Sequence, residues 1–78
     1  MIELFNQAVL LVDMPQQGLT RGDVGVVVEI YGDHEGYELE FMTKDGRTVA
    51  VETFMADQVR AISGRDMWHV RELAEAVV

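Results

Sequence analysis

The chain has 78 residues and a mass of 8.8 kDa, room for one domain whose single small core supplies only about 3–5 kcal/mol of net stability. It has no cysteine, which excludes a disulfide framework, and its two histidines, His34 and His69, stand far apart, which excludes a structural zinc site. Fourteen acids against six Lys and Arg give a net charge of -8, a field that repels phosphate backbones and anionic lipid surfaces, so neither a nucleic acid nor a membrane is an expected partner.

The first segment, Met1 to Asn6, lacks the basic start and apolar core of a secretory signal, and no run approaches the roughly 20 apolar residues of a membrane span. A cytoplasmic protein is expected. Ala8 to Val12 is a continuous apolar run too short for a helix, and it reads as a strand covered on both faces. Met14 to Gly22 contains the sole proline, Pro15, and two glycines, and reads as a long loop. Asp23 to Tyr31 is the second strand, with Val24, Val26, Val28 and Ile30 on one face and Gly25, Val27, Glu29 and Tyr31 on the other. Gly25 marks either a bulge or a close backbone approach.

Gly32 to Gly36 closes a hairpin, after which Tyr37, Leu39 and Phe41 alternate with Glu38 and Glu40, the pattern of a strand with one wet face. Lys44-Asp45-Gly46 suits a three-residue hairpin loop with Gly46 at positive φ. That loop predicts Phe41 opposite Val49, Leu39 opposite Val51 and Glu38 opposite Glu52. After the Ala56-Asp57-Gln58 turn, Val59 to Ile62 forms a short last strand. Five short strands in a strongly bent sheet read as an SH3-like barrel over about residues 7–62, and the Met14 to Gly22 loop resembles the long first loop of that fold. From Asp66 the period changes: Met67, Val70, Leu73, Ala74 and Val77 fall at helical spacing, with Asp66 as N-cap, and predict an amphipathic helix over about 66–77. The fold expected is therefore mainly β, a five-stranded SH3-like barrel with a short C-terminal helix, in a single domain spanning 1–78.

Several blocks together resemble the bacterial domain-of-unknown-function family 4926. They are Leu4-Phe5, Val9-Leu10-Leu11, Asp13-Met14-Pro15, Gly18-Leu19, Gly22-Asp23, Gly25, Val27, Tyr37-Glu38, Glu40-Phe41, Asp45-Gly46, Thr48, Thr53, Val59-Arg60 and His69 to Ala74. The resemblance implies an SH3-like barrel with a small C-terminal extension and brings no catalytic residue. By analogy it implies a small accessory protein, including a toxin-neutralising partner.

No pattern points to catalysis, a cofactor or a metal. Thr20 and Ser63 have no neighbouring base, and no nucleophile elbow or phosphate loop occurs. Asp33-His34-Glu35 reads as a solvated hairpin tip rather than a ligand set, because adjacent residues on a tight loop rarely converge on one ion. His69 and Glu72 read as a surface pair on the terminal helix. The Gly18 to Gly25 turn resembles that of KOW-type barrels, but those use basic loops and this one offers only Arg21.

From Asp23 to Met42 stand six acids, Asp23, Glu29, Asp33, Glu35, Glu38 and Glu40, with no Lys or Arg among them. The expected function is thus a non-catalytic protein-interaction module that meets a basic partner through Glu29, Glu38, Glu40 and Glu52 around Tyr31 or Trp68. A homo-oligomer, a dimer held by Val9, Leu11, Met67, Val70, Leu73 and Val77, is expected as well, and the alternative function is a self-associating structural protein without a dedicated ligand.

Overall fold

The structure, a computed structural model, describes residues 1–73. Five antiparallel strands, β1 (Gln7–Leu10), β2 (Val24–Tyr31), β3 (Gly36–Met42), β4 (Thr48–Met55) and β5 (Val59–Ala61), form one sheet in the order β4-β3-β2-β1-β5. The five strands agree with the sequence, but the barrel does not. β4 and β5, consecutive in the chain, end on opposite edges, and no ladder joins them. Closure needs tilted strands long enough to wrap. Here β1 has four residues and β5 three, and β5 is already paired with β1 through Ala8–Ala61, Val9–Arg60 and Leu10–Val59. The sheet therefore stays open.

The predicted C-terminal helix is also absent over 66–73; its remaining residues, Ala74 to Val78, lie outside the described residues. Asp66 does not cap a helix: its carboxylate accepts from the Ser63 N–H at 2.7 Å and from both Arg60 guanidinium nitrogens at 2.7 and 2.9 Å. Arg71 reaches the other way, to both Asp23 carboxylate oxygens at 2.7 Å and to the Gly18 carbonyl at 3.0 Å. A helix of about three turns is marginal without a buried face. Met67 and Val70 of the expected stripe are 92% and 89% exposed.

One face of the sheet carries the core. Ala8 and Leu10, Val27, then Tyr37, Leu39 and Phe41, then Phe54 and Val59 cluster there with Ile2 and Leu19 from outside the strands. Phe54, 1% exposed, meets Phe41 edge to face at 5.9 Å. Gly25 is the close approach foreseen, since a Cβ there would lie 3.0 Å from Phe41 Cε1 and 3.1 Å from the Glu40 carbonyl.

Two slips in the ladders rearrange the expected faces. Val27 pairs with Leu39 but Glu29 with Glu38, which leaves Val28 as an extra residue. Beyond it the alternation reverses: Ile30 joins the core side opposite Tyr37, while Glu29 and Tyr31 turn outward. The β3–β4 hairpin has Gly46 at φ 91° as predicted. Met42 pairs with Thr48 at the expected offset, but a second slip between Phe41 and Met42 shifts the rest by one. Phe41 consequently faces Ala50, Leu39 faces Glu52 and Glu38 faces Thr53, in place of Val49, Val51 and Glu52.

Candidate functional site

The outer face of β2, β3 and β4 gathers three of the four predicted acids. Glu29 on β2 stands directly opposite Glu38 on β3, and Glu38 directly opposite Thr53 on β4. One row along, Glu40 lies between Val26 and Val51. Tyr31 belongs to the same face; its phenol donates to Glu38 Oε1 at 2.8 Å. The Thr48 hydroxyl donates to Glu40 Oε2 at 2.7 Å. These bonds hold the two β3 carboxylates upright on the sheet. Donation to the Glu38 carboxylate also raises the Tyr31 pKa, because losing the proton would set two anions in contact. Val51 and Met55, 45% and 63% exposed, add apolar surface beside the acids.

The other predicted site residues lie elsewhere. Glu52 is on the core side of β4, opposite Leu39, because the slip after Phe41 turned it over. Trp68 lines an open cleft of about 690 Å³ with Gln7, Val24, Met42, His69 and Leu73. Asp23, the carboxylate on its wall, is paired with Arg71. His69 and Glu72 are both exposed and share no helix.

Of the proposed dimer contacts, Val9 is already buried in its own sheet between Val24 and Arg60. Leu11 and Leu73 are half-buried, Met67 and Val70 are exposed, and Val77 lies outside the described residues.

The hairpin tip differs from a fully solvated one. Gly32 and His34 both take positive φ, 61° and 59°, and the half-buried His34 ring leans on Tyr37 with centroids 6.0 Å apart. Its Nε2 lies 3.5 Å from the Glu3 carboxylate. Among the described residues, no group of three or more His, Asp or Glu is arranged to hold a metal ion. No helix among them is long and apolar enough to cross a membrane.

Sequence reading missed β4 as a surface in its own right. Thr48 to Met55 contains no Lys, Arg, Pro or Gly, and since edge strands are ordinarily blunted with lysine or proline, that composition reads as a central strand and gives no sign that β4 ends the sheet.

An open sheet of five antiparallel strands with an acidic outer face defines a small, mainly β domain. Residues 4–61 match the family model described as domain of unknown function DUF4926, and the chain belongs to that family. No curated protein and no solved structure matches it.

Proposed function

We propose that this is a non-catalytic protein-interaction module of the cytoplasm that binds a basic partner protein through the outer face of β2, β3 and β4. The observation that carries the reading is the direct opposition of Glu29 and Glu38. Like charges across a ladder cost about 0.2–1 kcal/mol, and no cation on β2, β3 or β4 relieves them. A fold tends to keep such a local conflict where the surface has another use. Exposed Tyr31, Val51 and Met55 supply the apolar contact that a purely solubilising face would lack. An accessory role beside another protein, including neutralisation of a basic toxin, fits a surface of this kind.

The test is a comparison of wild type with the triple variant Glu29→Gln, Glu38→Gln, Glu40→Gln in affinity purification at low salt. The variant should melt at the same temperature or higher and lose a partner that the wild type retains. Identical proteins retained by both, or none by either, sink the reading.

A second reading, self-association, is favoured by the exposure of Met67, Trp68 and Val70 at 92%, 70% and 89%. Light scattering decides it. A mass of 8.8 kDa at micromolar concentration removes it.

A further inference from the structure

β4 is eight residues long, an edge of about 27 Å at 3.4 Å per residue. One side of it pairs with β3 from Gly36–Met55 to Met42–Thr48. Nothing among the described residues pairs with the other side, and it ends the strand order. Such an edge presents backbone N–H and C=O groups in a row, and proteins ordinarily blunt it with lysine, proline, a bulge or short length. The segment Thr48 to Met55 uses neither lysine nor proline, and its slip sits at the Thr48 end, so Ala50 to Met55 is regular ladder.

One guard remains, and it discriminates. Glu52 is a charge on the core side of the edge strand, where the facing residue is the fully buried Leu39. A second copy of this chain laid antiparallel along the same edge sets Glu52 near its own equivalent and brings together two bodies of charge -8. A segment with lysine or arginine at that position makes an ion pair there instead. The outer face has the same preference: a long cationic side chain laid across the small Thr53 reaches Glu38 directly beyond it, with Glu29 one strand further.

We propose that the free edge of β4 captures an extended, basic segment of a partner protein as a sixth strand of the sheet. The inference rests on the acidic-face reading above and supplies its mode: backbone hydrogen bonds give affinity, and Glu52 on one face with Glu38 and Glu29 on the other select the charge of the incoming chain. Apolar residues of the segment would cover Val51 and Met55.

The probe is a capped peptide of about ten residues with two adjacent arginines at its centre, one for each face of the strand, compared with the same peptide N-methylated on all its central backbone amides. N-methylation keeps the charge and removes the ladder donors. Amide hydrogen exchange followed by NMR reads where each one binds. The unmethylated peptide should slow exchange of β4 amides by about tenfold or more, and the methylated one should not. Glu52→Lys should weaken the unmethylated peptide by about tenfold with an unchanged melting curve.

Equal binding of both peptides without β4 protection overturns strand addition and leaves the acidic-face reading standing. No binding of either peptide at millimolar concentration overturns both. Protection of β4 in the free protein together with a doubled mass shows that a second copy takes the edge, and overturns the proposal.

Discussion

The two edges of this sheet are finished in different ways. At β5 the strand is three residues long, and the chain turns back at once: Arg60 is gripped by Asp66, and Asp66 in turn holds the Ser63 N–H. At β4 the strand is eight residues long, contains no lysine or proline, and is anchored from one side only. A local turn with one ion pair suffices to finish a short edge. A long edge would need a whole further strand, and the described residues do not provide one.

The sharpest way to break this comparison is to remove the anchor of the long edge. Phe54 is the one fully buried side chain of β4, and Phe54→Ala should cost about 3–5 kcal/mol, as much as the whole net stability, so that the variant is largely unfolded before any urea is added. A loss below about 1 kcal/mol would mean that β4 is held by its ladder rather than by its core contact.

A smaller effect is expected at the hairpin that delivers β4. Gly46→Val forces a β-branched residue to φ 91° and should destabilise by about 1–3 kcal/mol, with faster amide exchange in β4 than in β5. Uniform acceleration over both edges would remove the distinction between them.

Acid should act on the short edge. The Arg60 guanidinium, and after it the Ser63 N–H, hold the Asp66 carboxyl well below the ordinary carboxylate range. A carboxyl so depressed stabilises fully above its unfolded value of about 3.9, and that contribution is lost as pH falls through the folded value. Amides around β5 should therefore lose protection below about pH 4, and Asp66→Asn should produce the same loss at neutral pH. Acid loosening that starts in β4 and spares β5 would contradict this assignment.

The faintest effect is expected on the outer face. Because Tyr31 donates to Glu38, its raised pKa keeps the phenol neutral above about pH 10, so its stabilisation holds below that pH and fades as pH rises through the folded value. Phenolate absorbance should show the delayed titration in the wild type and an ordinary one after Glu38→Gln. Unchanged titration would mean that the bond is not kept in solution.

Much of this was legible in the residues. The alternation of Tyr37, Leu39 and Phe41 located the core face of β3, Lys44-Asp45-Gly46 located the hairpin loop, and Gly25 announced either a bulge or a close approach, of which the structure has the approach to Phe41 and the Glu40 carbonyl. Alternation, however, counts residues and cannot see an extra one. The slips at Val28 and after Phe41 each moved every residue beyond them by one place, and this placed Glu52 on the wrong side and hid the Glu29–Glu38 opposition. Helical spacing after Asp66 was equally blind to competition, because it weighs only the apolar stripe and sees neither Arg60, six residues before Asp66, nor Asp23, 48 residues before Arg71. Of the acidic site, the residue types could be read from the sequence and the shared face only in part.

The extra residue at Val28 makes the run Val26-Val27-Val28 a reading-frame device written in side chains. Three near-identical letters in a row let the strand change phase without altering its chemistry, since any one of them tolerates either environment. Losing a single valine from this triplet would barely change composition, length or hydrophobicity. It would remove the extra residue and leave a regular ladder with Glu29 still opposite Glu38, whereas pairing all three valines without a slip would send Glu29 and Tyr31 toward the core side and bring Ile30 into water. The polarity of the far end of the strand thus depends on one valine being passed over in the pairing rather than on the identity of any one of them.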